Sequence, residues 1–283
     1  MSDASEQKDT RNNEDEPVSD SATSSVPESA AESGMTAEAP PPEEPLSLTD
    51  KFIGVLTEPS PTFENVRAAG PRVSDWLVPV LLLMIVIAVG TLARFSNPEF
   101  AAQIQQAQQS QFQKQVESGD MTQEQADQAR QQMEGMKGFF PVIGAVTGAI
   151  GYFIFFFIIA LLYWLMVRFI MRGDATYSLV LSALGLVGFI NIIDQLVSLL
   201  LTYVTGKPFA NLSPVLFMDV NIADMSFMVK VMMLLNPIAI WATWVLGIGL
   251  EKVGSISRAK GLIAAFSLYI IFTLLTLSTG MGM

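Results

Sequence analysis

A helix needs about 20 consecutive, mostly apolar residues to cross a hydrocarbon core ~30 Å thick, and this chain contains five such stretches. They run roughly from Trp76 to Phe95, Phe139 to Val167, Ser178 to Val204, Val229 to Leu250 and Gly261 to Thr279. The second and third exceed the minimum and are expected to tilt or to extend beyond the bilayer. Only 15% of the residues are charged, where soluble domains carry about a quarter. The expected fold class is all-α: a polytopic membrane bundle of five transmembrane helices.

Short loops rich in Lys and Arg stay cytoplasmic, which orients the bundle. Lys51, Arg67 and Arg72 precede the first span, Arg168 and Arg172 follow the second, and Lys252, Arg258 and Lys260 separate the fourth from the fifth. All eight fall on one side if the N-terminus is cytoplasmic. The other side holds Lys207, Lys230 and a long loop whose acids outnumber its bases. The expectation is a multi-pass protein of the cell membrane, N-terminus cytoplasmic and C-terminus extracytoplasmic.

The net charge of −11 is almost wholly local. Residues 1–46 hold twelve acids against Lys8 and Arg11, a net of −10, and close on Pro40, Pro41, Pro42 and Pro45. Such a segment buries too little apolar surface to offset its ordering entropy, so a disordered N-terminal tail is expected. It has no apolar run and no basic start, so the first span is expected to act as its own insertion signal.

Residues 47–75 read as two short amphipathic juxtamembrane helices. Leu48, Phe52, Val55 and Leu56 recur at helical spacing, with Asp50 and Lys51 expected off that face. Pro59 breaks the first helix, and Ser60 with Pro61 suits the cap and first position of the second. That second helix carries Phe63 and Val66, with Glu64 and Arg67 turned away. The pair either lies on the membrane surface or packs under the bundle.

Residues 96–138 are Gln-rich and helical in propensity. Asn97-Pro98 opens one helix, Ser118-Gly119-Asp120 ends it, and Thr122 with Gln125 reads as a capping box for another. An extracytoplasmic helical hairpin is expected, either a solvated connector or a surface for an external partner. The five-span domain as a whole covers residues 76–283.

Chemistry is sparse. The chain has no Cys and no His, which excludes disulfides, thiolate and imidazole metal sites, and Ser-His-Asp or Cys-His nucleophiles. No Walker loop or paired catalytic carboxylates occur, and no basic patch suits nucleic acid. No catalytic residue, metal site or cofactor is expected, and the chain is not expected to be an enzyme.

Three features remain. Asn191, Asp194 and Gln195 lie near the middle of the third span at spacings of three and four, so they share a face. A carboxylate at that depth costs about 2.5–3.5 kcal/mol on insertion scales unless it is paired or wet. The patch reads either as an ion, proton or substrate pathway or as an interhelical hydrogen-bonded knot. Gly144 and Gly148, four apart in the second span, suit close helix packing within the bundle or a seam between copies, which leaves a homo-oligomer open. Asn236-Pro237 interrupts the fourth span, where Pro kinks the helix and Asn caps it or satisfies a freed carbonyl.

Three segments carry a family resemblance. Val55-Leu56-Thr57-Glu58-Pro59-Ser60-Pro61-Thr62-Phe63 is similar to the leading segment of bacterial members of the Yip family, the Ypt/Rab-interacting five-span membrane proteins. Gly173-Asp174-Ala175-Thr176-Tyr177-Ser178 resembles their turn into the third span. The run from Asn236-Pro237-Ile238-Ala239-Ile240-Trp241 to Leu250, with Ser257-Arg258-Ala259-Lys260-Gly261, is the nearest match. The resemblance implies five helices with the N-terminus inside and the C-terminus outside. Eukaryotic relatives act with Rab GTPases in vesicle traffic, but their Asp-Leu-Tyr-Gly-Pro motif is absent here. Asn236 also stands where some relatives carry Asp.

The leading expectation is a non-enzymatic membrane protein surrounded by membrane lipids. It would act through protein partners, such as a transporter complex, as an accessory or scaffold in envelope transport or trafficking. The alternative is a small transporter or channel using Asn191, Asp194 and Gln195.

Overall fold

A computed structural model of the chain describes residues 44–207, 210–218 and 226–279. The disordered tail expected over residues 1–46 therefore lies, for residues 1–43, outside the described residues. Glu44 to Leu46 are tied to the next helices: Leu46 N–H donates to Asn65 Oδ1 at 3.0 Å, and Asn65 Nδ2 donates to the Glu44 carbonyl at 3.0 Å.

Two short helices follow, α1 (Leu48–Thr57) and α2 (Pro59–Ala69). Ser47 caps α1 by accepting from Asp50 N–H. The start of α2 corrects the expected Ser60 cap: Glu58 is the cap and Pro59 the first helical residue. Pro61 still fits two positions later, because first-turn N–H groups have no intrahelical partner. Val55, Phe63 and Val66 are fully buried in one core with residues of the later helices Tyr177–Thr205 and Pro237–Gly254, so the pair packs under the bundle.

A second correction concerns Lys51. It was expected off the apolar face with Asp50, yet it is 0% exposed. Lys51 lies three residues after Leu48 and four before Val55, inside the apolar stripe. Its methylenes pack there while its ammonium finds a buried carboxylate.

Four further helices are long and apolar enough to cross a membrane unbroken: α3 (Val73–Phe95), α6 (Phe140–Leu165, extended by a π-helical turn over Met166–Ile170), α7 (Tyr177–Thr205) and α10 (Arg258–Thr279). The fifth passage is a bent pair, α8 (Phe227–Met233) and α9 (Pro237–Gly254), with 56° between its parts. α9 ends beside the start of α7, where Gly254 O accepts from Asp174 N–H at 3.1 Å. Between α3 and α6 stand α4 (Pro98–Glu117) and α5 (Gln123–Met136), capped by Asn97 and Thr122 as expected.

The outer faces are apolar. Leu82, Ile85 and Val89 of α3, Val146, Ile150 and Ile154 of α6, and Ile263, Ile270 and Leu274 of α10 are all more than 40% exposed. Contiguous apolar surface on this scale suits lipid, not water. The chain folds as an all-helical membrane bundle.

Candidate functional site in the bundle

Where α8 gives way to α9, backbone groups lose their helical partners, and two side chains, Tyr269 and Asn236, supply replacements. Tyr269 of α10 donates its hydroxyl to the Leu234 carbonyl at 2.8 Å. Asn236, 5% exposed, accepts from Ile238 N–H on Oδ1 at 3.0 Å and donates from Nδ2 to Asp194 Oδ1 of α7 at 2.7 Å. The backbone N–H and the carboxylate together set which way the amide points, since only its NH2 can donate to Asp194. One side chain thus caps a helix and partners the intramembrane acid.

Asn191 and Gln195 share the α7 face with Asp194 and are half-buried, yet neither side chain hydrogen-bonds another described residue. The structure adds one cation that sequence reasoning passed over. Arg94, in the last turn of α3, donates to Ser198 Oγ of α7 at 3.3 Å, one helical turn beyond Asp194. Ser198 in turn donates to the Ala210 carbonyl at 2.8 Å. The buried Nε of Arg94 has no partner among the described residues. An arginine so close to the end of an apolar run reads in sequence as an interfacial residue, so nothing there pointed to α7.

Gly144 and Gly148 face α3 at ordinary contact distances: a Cβ on Gly144 would meet Thr91 and Phe95 side chains at 3.5 and 3.7 Å, and one on Gly148 would meet Ile87 at 3.5 Å. The closest backbone approaches use other glycines. A Cβ on Gly185 of α7 would collide with the Trp76 backbone, and one on Gly261 of α10 with the Gly247 carbonyl of α9.

The α1–α2 end of the bundle is tied by ions. Lys51 Nζ donates to both oxygens of Asp75 at 2.8 and 2.9 Å, with both side chains 1% exposed. Arg67, expected to turn away, makes a bidentate pair with Asp174 at 3.1 and 2.8 Å and donates to the Val253 carbonyl at 2.6 Å. It thereby joins α2, the turn before α7 and the C-terminus of α9. The Arg67 hydrogen bonds hold the Asp174 carboxyl below its ordinary range. Lys252 reaches Glu64 at 2.6 Å, Arg258 reaches Glu251 at 2.7 Å, and Lys260 donates to the Met171 carbonyl at 3.0 Å. Residues expected in three separate basic loops therefore meet at one end. Among the described residues, no group of three or more acidic side chains is placed to hold a metal ion.

The model of the Yip1 domain matches residues 53–279, almost everything described above. The chain belongs to the Yip family. One relative of this Yip-family chain is the membrane protein YknW of Bacillus subtilis (strain 168). The two are 27% identical over 234 residues, covering 81% of this chain and 90% of YknW. No solved structure matches the chain.

Proposed function

We propose that this Yip-family protein performs no chemistry of its own and works through protein partners, as an accessory or scaffold in envelope transport or trafficking, a transporter complex being the expected kind of partner. The observation that carries this reading is that the intramembrane acid, Asp194, is tied into the cap of a neighbouring helix. Asn236 ties Asp194 to the start of α9, and Tyr269 satisfies Leu234, which supports a structural knot over an open path. The basic residues gathered at the α1–α2 end, Lys51, Arg67, Lys252, Arg258 and Lys260, support placing that end in the cytoplasm and the end of α10 outside. A reporter fused to the C-terminus checks the orientation, and activity only in the cytoplasm would reverse it. Purification from native membranes in mild detergent, with mass spectrometry of co-eluting proteins, checks the partner reading. A protein that repeatedly elutes alone would count against it.

A second reading, transport through the Asp194 region, is favoured by a broken helix beside a half-buried carboxylate, with Arg94 one turn away. Flux in reconstituted liposomes that falls on Asp194→Asn would support it. Flux that is absent, or unchanged by that substitution, would sink it.

A further inference from the structure

Between the α4–α5 hairpin and the adjoining ends of α3 and α6 lies a cavity of about 310 Å3, at the small end of the range for ligand pockets. Its floor is apolar: Phe95 closes α3, Phe140 and Ile143 open α6, and Ile104 and Phe112 come from α4. Its rim is charged, with Arg130 and Glu134 in α5 and Lys137 at the cap that ends it. Arg130 donates to Asp127 at 2.8 Å and Lys137 to Gln105 Oε1 at 3.2 Å. A guanidinium has five N–H donors and an ammonium three, so both retain donors for a further acceptor.

The floor is continuous with the lipid-facing side of the bundle. Ile143 itself is 44% exposed, and Val142 and Val146 beside it on α6 are 53% and 51% exposed. An occupant arriving along that surface brings an apolar chain, and the rim asks it for an anionic acceptor. We propose that this cavity binds one phospholipid, its phosphate held by Arg130 and Lys137 and part of an acyl chain lying over Phe95, Ile104 and Phe112. Charge-assisted hydrogen bonds to phosphate supply the orientation, and apolar burial supplies the remainder. Glu134 on the same rim is placed to meet the ammonium of an ethanolamine headgroup, which distinguishes that lipid from phosphatidylglycerol.

The test uses the full-length protein in dodecyl maltoside with one equivalent of phospholipid carrying a diazirine on one acyl chain close to its ester carbonyl. Photolysis and peptide mapping should place adducts on α4 and on the ends of α3 and α6 that floor the cavity. Unlabelled phosphatidylethanolamine should suppress those adducts more strongly than phosphatidylglycerol, and the reverse order would overturn the Glu134 contact. Diacylglycerol, which lacks the phosphate, should not suppress them. The paired substitution Arg130→Gln with Lys137→Gln should lower cavity adducts at least about tenfold, equivalent to ~1.4 kcal/mol. Lys114→Gln, on the same hairpin but outside the cavity, should leave them unchanged. The competition series needs only the native chain, so it decides the matter even if the paired variant fails to fold. Adducts confined to outward residues such as Val146 and Ile150, equal suppression by diacylglycerol, or a protein segment recovered from the cavity would each overturn the proposal.

Discussion

At one end of the bundle, a buried ion pair ties α1 to α3, a three-way arginine ties α2 to the start of α7 and the end of α9, and Gly185 lets α7 pack against the α3 backbone. At the other, the α4–α5 hairpin meets α3 and α6 through side chains around a cavity, and Lys137–Gln105 ties the hairpin's own two helices together. Both ends are helical and both have sound caps, so secondary structure does not separate them. What separates them is how far their polar groups depend on the packing for partners. At the first end Lys51 and Asp75 are buried and each depends on the other for its partner; at the second, Gln side chains can be satisfied by water. The first end is thus the rigid platform of the fold, and the second is where another molecule can be admitted.

The comparison breaks most sharply at Lys51. Replacing it with Met strands Asp75 and should cost about 3–5 kcal/mol, seen as a large drop in thermal stability in detergent. Lys51→Met combined with Asp75→Leu should recover most of that loss, because the pair can be exchanged for apolar packing. Recovery of nothing would mean that the ions specify the local structure and not merely one another.

Glycine substitution sharpens the contrast along the bundle. Gly185→Ala drives a methyl into the Trp76 backbone and should destabilise by about 1–3 kcal/mol. Gly148→Ala, toward the hairpin, meets Ile87 at 3.5 Å and should stay within about 0.5 kcal/mol. Equal effects in a thermal-shift series would erase the distinction. Between the ends, Asn236→Ala removes the α9 cap and the Asp194 partner together, for about 1–3 kcal/mol. Asp194→Asn keeps an acceptor for Asn236 and should cost less than that in the same assay.

The smallest effect is a pH dependence at the locked end. The folded-state pKa of Asp174 is lowered by Arg67, so the stabilisation is fully present above the ordinary carboxylate pKa of about 3.9. It is lost as pH falls through the lowered value. The pair is partly exposed, Arg67 33% and Asp174 57%, which limits it to about 0–1 kcal/mol. A stability difference between the native chain and Asp174→Asn should therefore exist at pH 7 and shrink below about pH 4. A difference that grew on acidification would reverse the assignment.

Much of this was legible in the residues. The five apolar stretches, the Asn97, Thr122 and Asn236 caps and the Thr122–Gln125 box depend on neighbours within four positions, and each stands where its local pattern puts it. The Asp194 patch was legible as a problem, a carboxylate needing a partner, but not in its solution. Asn236 lies 42 residues away, and nothing local says that its amide faces α7. Lys51 misled for a different reason: a charged residue within an apolar stripe reads as solvent-facing until Asp75 is seen beside it. Gly144 and Gly148 have the spacing of a close-packing pair, yet Gly185 and Gly261 make the tight approaches, because a glycine's contact depends on the helix that crosses it.

From the chain alone follow the helices, their passage through a membrane and the gathering of basic loops on one side, since apolar length, caps and charge act over short range. The pairing of Lys51 with Asp75, of Arg67 with Asp174 and Val253, and of Asp194 with Asn236 was decided only when the helices packed. A buried charge or amide must be satisfied by whatever the fold brings within about 3 Å, and that choice belongs to the arrangement of helices, not to any one of them.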